Sequence, residues 1–562
     1  MSLSTMLGRV RRVIVPAHPR VVERRQPRVG MIRGEGATAY DASSYWAPET
    51  RDWNAYLSSP DIEGNFSRDV IVARIRDLVR NDGWASGSVT SILDSVVGGM
   101  LRPIPKPAWR RLAMMAGSTF DRQWADEYSK AAQALWRSWG MDDTGHWCDA
   151  GRRLTISQLF RLAYRQELVD GDALAHLPWL PGRVGYGKAR YCTAVQLVDA
   201  DRLSNPHLAI DTINRRGGIE LDAYGAAIAY HIRRAHQGDW FSAADTVIWD
   251  RFPRETSFGR PVIVHHFVSD RPDQHRAVGG IFTPVLGRMK MLSQFDAVEL
   301  QAAVVNSIFA AYVETASDPL AMQDALSPAD QHGRPTDYDG NPLPMHDGRL
   351  RIKDGILPIL RPGESIKAVD SKRPSTAYGI FENAVLRNLA AATGQTYEQL
   401  SKDWSRVNYS SARAALLEAW KTLHRRRGEF AAGFCAPILS AFLEEAMDLG
   451  ELPLPRNAPD FAEARGEYSA ARWMGPPRGW VDPVKEAQAA VLRMDAGLST
   501  LENECAEQGL DWNEVVDQRA IERGRFDQLG LPHPKWFGEA LGHDGDEESA
   551  PAAQLAKKPE PE

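Results

Sequence analysis

The sequence is poor in cysteine: Cys148, Cys192, Cys435 and Cys505 are the only four in 562 residues. They lie far apart, with no C-x-x-C pair and no Cys/His spacing, which argues against a zinc module and a secreted disulfide framework and fits a reducing cytoplasm. Long apolar runs are also missing. The longest, such as residues 431–443, stop short of the ~20 residues a membrane span needs, and the basic start of the chain has no signal-peptide apolar core, so no membrane partner is expected. There is no surplus of cations either: Lys+Arg 67 against Asp+Glu 73 leaves a net charge of −6. A protein that grips nucleic acid tightly needs cations to neutralise phosphates, so tight DNA binding is disfavoured. Neither a G-x-S-x-G elbow nor an H-E-x-x-H pair occurs, and no catalytic site assembles from the sequence.

What is present is material for several folding units. Hydrophobic residues at 43%, charged residues at 25% and a mean hydropathy of −0.38 describe an ordinary soluble chain. Seventeen tryptophans are a heavy load, and burial in cores and subunit interfaces is their simplest use. The ends differ in charge. Residues 1–45 hold eight arginines against Glu23, Glu35 and Asp41 and predict a loose basic arm. Residues 539–562 carry seven acids against Lys557 and Lys558 among Ala and Pro and predict a disordered acidic tail.

Between these ends, residues 66–175 show mostly helical periodicity, including Val70, Ile71, Ile75, Leu78 and Val79. Short β-prone runs follow at Leu174–Leu177, Ala194–Val198, Ala227–Ile232 and Pro261–Phe267. A long amphipathic helix is predicted over 282–316, about 50 Å at 1.5 Å per residue. Residues 317–372 then hold 7 Pro and 5 Gly in 56 positions, too many for a continuous helix. A second helix, capped by Ser375 or Thr376, ends at Gly394. After a short segment, 410–449 predicts a helix that Pro437 must kink or split. Asp482-Pro483 opens a helix through about Gln508, and a polar helical stretch follows.

Four motifs invite chemistry. Gly182–Ala189 satisfies G-x-x-x-x-G-K, but Ala189 stands where a Mg²⁺-binding hydroxyl is needed and a strand follows where the phosphates need a helix; a hairpin turn is the better reading. His265-His266 and His146-Trp147-Cys148 resemble metal ligands, yet neighbours on a strand face opposite ways and no further ligand is suitably spaced. Asp199-Ala200-Asp201 precedes Arg202, Ser204, Asn205 and Pro206, which turn formation explains.

The chain as a whole speaks through strings in order. Tyr40-Asp41-Ala42-Ser43, Arg51-Asp52-Trp53 and Arg76–Asp82 come first, then Val169–Leu174, Gln196–Asn205, Leu221–Gly225 and Ala229–Ile232. Glu299–Asn306 follows, then Tyr397–Trp404 running into Asn408–Ala414, and Gly479–Pro483 with Lys485-Glu486 and Gly497–Thr500. Over residues 40–525 this order resembles the lambda-type family of tailed-phage portal proteins.

The resemblance implies an α+β fold of portal-protein architecture, mainly helical with a strand-rich middle, and no enzyme activity or cofactor. It implies a ring, usually a dodecamer, at one capsid vertex of the virion, assembled in the host cytoplasm. Double-stranded DNA would pass through it with weak, non-specific contacts. Terminase, major capsid and scaffold proteins, and later head-completion proteins would be partners. Laid onto this chain, the family plan makes 46–281 the wing, 282–316 and 373–394 the stem, and 317–372 the clip, with Arg349, Arg351 and Lys353 facing terminase. Residues 395–409 become a tunnel loop carrying Lys402, Trp404 and Arg406, 410–455 a kinked wing helix, and 456–538 the crown. Trp404 is equally readable as a core anchor. The competing readings are a non-ring structural adaptor and a P-loop DNA translocase.

Overall fold

The computed structural model describes residues 52–53, 55–99, 101–117, 119–308, 311–314, 365–368, 378–405, 407–479 and 482–533. The basic arm, the acidic tail, most of the 317–372 stretch with Arg349, Arg351 and Lys353, and Arg406 lie outside these residues.

Local signals set the helices of the first half. Asp82 accepts a hydrogen bond from Ala85 N at 2.9 Å and starts Gly83–Val96 directly after Pro60–Asn81. Asp121 accepts from Trp124 N at 2.7 Å and starts Arg122–Gly140, which buries Trp124, Tyr128, Ala132, Trp136 and Trp139 at spacings of three and four. A Thr155/Gln158 capping box opens Ile156–Asp170. That helix ends at Gly171 with φ +90°, where a Cβ would come 2.6 Å from the Gly279 carbonyl oxygen, so the turn into the next strand requires glycine.

The predicted strands are present. Asp172–His176 lies between Gln196–Leu197 and Ile263–Phe267, antiparallel to both. A four-stranded antiparallel sheet follows the order Arg215–Arg216, Ile219–Leu221, Ala227–Arg233, Trp249–Pro253. Its buried side chains, among them Ile219, Leu221, Tyr230 and Ile232, join Leu174, Val198, Leu203 and Ile263 in a small core of their own. Sequence periodicity gave no hint of one pairing: Arg102–Pro105 runs antiparallel to Ala471–Met474 and ties the C-terminal third to the first helices.

The main core is organised by the helical run 409–448. Tyr409–Phe430 passes through a π turn, Ala431–Cys435, into Ala436–Asp448, where Ile438, Leu439, Ala441, Phe442, Leu443 and Ala446 are buried. Phe442 stacks on Trp139 at 4.6 Å and meets Trp136 edge-on at 5.5 Å. Of the kink or split expected at Pro437, the split does not occur: the run continues through the proline. The π turn, closed by Ala436 N on Ala431 O, opens the backbone by one residue just before the proline, where its missing N–H and bulky ring would otherwise break the hydrogen-bond ladder.

Three further expectations are corrected. The helix predicted for 282–316 runs Leu286–Ile308, about 35 Å, after a 3₁₀ turn at Thr283–Val285, and β-prone Ala311–Glu314 is a strand. The helix opened by Asp482 stops at Asp495, with Gly497 at φ +70°, before Thr500 caps Leu501–Glu507. Ser410–Asp448 is long and apolar enough by composition to cross a membrane, contrary to the estimate from apolar runs. However, 72% of its apolar window is buried inside the protein, which is the environment of a core helix. The fold is mixed α+β, mostly helical with small antiparallel sheets.

Candidate functional site

The helices Leu286–Ile308 and Tyr378–Thr393 pack against each other. Phe295 stacks on Tyr378 at 5.7 Å and meets Phe381 edge-on at 4.9 Å, while Tyr378 Oη donates to Asp296 Oδ1 at 2.9 Å. Beyond them Ala311–Glu314 pairs antiparallel with Ser365–Ala368, in the register Ala311↔Ala368 to Glu314↔Ser365. In sequence, this two-stranded ladder of Ala311–Glu314 and Ser365–Ala368 lies between the two helices of the hairpin.

Tyr378–Thr393 ends as the sequence predicted, at Gly394, with φ +70°. The next fifteen residues are not a plain loop. Thr396 and Gln399 form a capping box on the short helix Tyr397–Ser401, Leu400 is buried beneath it, and the Arg387 guanidinium lies 5.5 Å from the Tyr397 ring centre. Gln395 is the foot of this segment. Its Oε1 accepts from Ser88 Oγ and, at 3.2 Å, from Thr393 Oγ1, all three residues being buried. Arg426 Nη1 donates to Thr393 O at 2.8 Å, so the following helix braces the same turn. Asn408 then caps Tyr409–Phe430 by accepting from Ser411 N at 2.9 Å.

The tip between these anchors is exposed. Lys402 occupies the left-handed region at φ +58°, Asp403 accepts from Ser405 N at 3.0 Å, and Trp404 is 43% exposed. Of the residues expected to act together, Lys402 and Trp404 share this tip, and Trp404 is not a buried anchor within the chain. Sequence reasoning missed Gln395 and Ser88, which lie 307 positions apart. The Thr396-x-x-Gln399 capping signature was the signal available.

The other motifs resolve into structure. Val184 bridges to Ala189, closing a turn with Gly187 at φ +70°, and no helix follows Lys188; the phosphate-loop geometry is not formed. His265 and His266 face opposite ways on their strand, His265 Nε2 lying 3.6 Å from Asp172 Oδ1 and His266 Nε2 3.6 Å from Glu167 Oε2. Among the described residues no group of three or more His, Cys, Asp or Glu side chains could hold a metal ion.

Asp199 makes the turn expected of it, accepting from Asp201 N at 3.0 Å, but it also belongs to a charge network. Arg76 reaches Asp170 at 2.7 Å, Asp199 at 2.9 Å and Asp201 at 2.5 Å. Beneath it, fully buried Asp172 lies between Arg68 at 3.2 Å and Arg276 at 2.9 Å. Burial alone would raise the Asp172 carboxyl, but Arg276 and Arg68 outweigh it and hold the group far below the usual carboxylate range.

A family profile described as phage portal protein, lambda family, matches residues 47–427. The chain is 31% identical over 502 residues to the portal protein of Escherichia phage N15, across 88% of this chain and 91% of that protein. It is 30% identical over 516 residues to portal protein B of Escherichia phage lambda, across 90% and 93%. A probable portal protein of a Halomonas phage is 25% identical over 507 residues, across 88% of this chain and 87% of that protein. The chain is therefore a phage portal protein, and it belongs to the lambda family. Among solved structures it is similar to a chain of the neck of a native gene transfer agent particle computed with C12 symmetry, with 12% identity, TM-score 0.36, and 84% of this chain and 100% of that one covered.

Proposed function

We propose that copies of this chain close into a ring, of twelve subunits, at one vertex of a capsid, and that genome DNA enters and leaves through its centre. The observation that carries this reading is the helical hairpin with its two-stranded ladder, which fits a stem from which the 317–372 stretch projects as a clip. In this arrangement 46–281 and the long helix after Asn408 form the wing, and the C-terminal helices form the crown. Terminase docks on the clip during packaging, through a surface that includes Arg349, Arg351 and Lys353, and head-completion proteins replace it afterwards. The exposed tip with Lys402 and Trp404, continued by Arg406, faces the tunnel. Capsid and scaffold proteins hold the ring in the virion.

The charge balance supports a conduit rather than a grip. Twelve chains of net charge −6 sum to about −72, so cations along the path act against a repulsive background that salt screens within ~10 Å. DNA that must slide meets contacts that break easily.

The test is the particle mass of the purified protein by mass photometry. A subunit is 62.5 kDa, so a closed twelve-membered ring appears at about 750 kDa. A monomer or dimer at all concentrations and salts would overturn the ring and leave the non-ring adaptor reading.

A further inference from the structure

The turn carrying Lys188 has no part in the ring reading, yet it borders a cleft of about 420 Å³. Arg137, Lys188 and Arg190 line this cleft, with Trp139, Trp147 and Tyr191 among its walls. Two of the cations are already engaged: Arg137 shares Glu514 with Arg102, and Arg190 pairs with Glu451. The Arg152 guanidinium lies over Trp147 at 3.6 Å. Among the described residues Lys188 pairs with no carboxylate, and it is exposed. Counting the groups that line the cleft and those that act on its lining, five cations (Arg102, Arg137, Arg152, Lys188 and Arg190) stand against four carboxylates (Asp142, Glu445, Glu451 and Glu514). A local positive excess on a chain of net charge −6 calls for an acidic occupant.

We infer that the acidic C-terminal segment of the same chain, residues 539–562, docks in this cleft, with the run Asp544 to Glu548 against Lys188. Charge complementarity is the first ground: seven acids against two lysines meet Lys188, which among the described residues pairs with no carboxylate. Reach is the second. The helix Trp512–Leu529 begins at the cleft, because Glu514 in its first turn bonds Arg137. Eighteen residues carry the chain about 27 Å away. From His533 to Asp546 the chain has thirteen residues, enough to extend about 43 Å, so the acidic run can return to where the helix started. Tethering supplies an effective concentration of order millimolar, at which weak ion pairs close.

Carbodiimide coupling of the full-length protein tests this, because it joins a lysine amine to a carboxylate in direct contact. Cross-linked peptides joining Lys188 to Asp544–Glu548 are expected. They should be lost in Lys188→Arg, which keeps the charge but removes the reactive amine, and fall several-fold in about 1 M salt, where the screening length is about 3 Å. Deleting 539–562 should raise the acetylation rate of Lys188. An unchanged rate, or Lys188 cross-links without the tail, would overturn the inference. So would cross-links joining isotopically labelled to unlabelled chains, which would mean docking between copies. Protection of Lys188 by a short DNA duplex in the absence of tail cross-links would assign the cleft to nucleic acid instead.

Discussion

Asp172 shows how much one buried carboxylate can carry. Arg68 and Arg276, both buried, converge on it from a helix and from the segment that precedes Leu286–Ile308. Asp172→Asn leaves two buried guanidinium groups without their counter-charge, and chemical denaturation should read a loss of about 3–5 kcal/mol. Glu167 is the opposite case. Burial pushes its carboxyl up to about 8, while burial and neighbouring His265 push His266 down to about 4. The protonated Glu167 favours the fold, so its contribution is fully present below about 4.5 and is lost as pH rises through about 8. Neutral His266 runs the other way, its contribution being present above about 6.5 and lost as pH falls through about 4. Between pH 6.5 and 8 Glu167 is the changing member of this pair. Thermal melts should therefore show stability from this pair declining across that window, and Glu167→Gln should flatten the decline. Neither effect is visible in sequence, because Asp172 meets Arg276 across 104 positions.

At the scale of elements, the start at Asp482 and the end at Gly394 were legible, while the ends of Leu286–Ile308 and Pro483–Asp495 were not. Asp82, Asp121, Thr155, Asn408 and Asp482 each cap the helix that follows them, because capping depends on side chains within a few residues. Gly394 was readable for the same reason. An added Cβ there would sit at φ +70° and 2.9 Å from Thr422 Cγ2. Gly394→Ala should therefore lower stability by about 1–2 kcal/mol and loosen the tip bearing Lys402 and Trp404, measurable as faster amide exchange in 395–405. The π turn was not legible. Gly433 lies where a Cβ would come 2.2 Å from His266 Nδ1, a contact set by tertiary packing. The C-terminal helices Pro483–Asp495 and Trp512–Leu529 bury no residue within the chain, and Val484, Leu492 and Ile521 are each more than 60% exposed. A helix without a packed face is marginal in water, so amide exchange there should be fast in the isolated subunit and slow once copies assemble.

For the whole molecule, charge predicts behaviour more directly than any single contact. If copies close into the proposed ring, duplex DNA should bind it weakly, with an affinity that falls as salt rises; nanomolar binding at physiological salt would count against a conduit. Lys402→Ala with Trp404→Ala should leave the particle mass unchanged, because the tip lies outside the buried anchors Gln395 and Leu400, and should lower the DNA retained per particle if the proposed tunnel-facing role of the tip holds. The sequence by itself determined the family, the alternation of helical and strand-rich regions and the helix ends at Asp482 and Gly394, since these depend on ordered strings, periodicity and neighbours a few residues apart. Only the tertiary structure decided that Arg102–Pro105 pairs with Ala471–Met474, that the apolar helix before Asp448 is a core helix, and that Arg76 gathers Asp170, Asp199 and Asp201. Those outcomes rest on contacts between residues about a hundred or more positions apart, and such contacts become defined when the chain closes on its core.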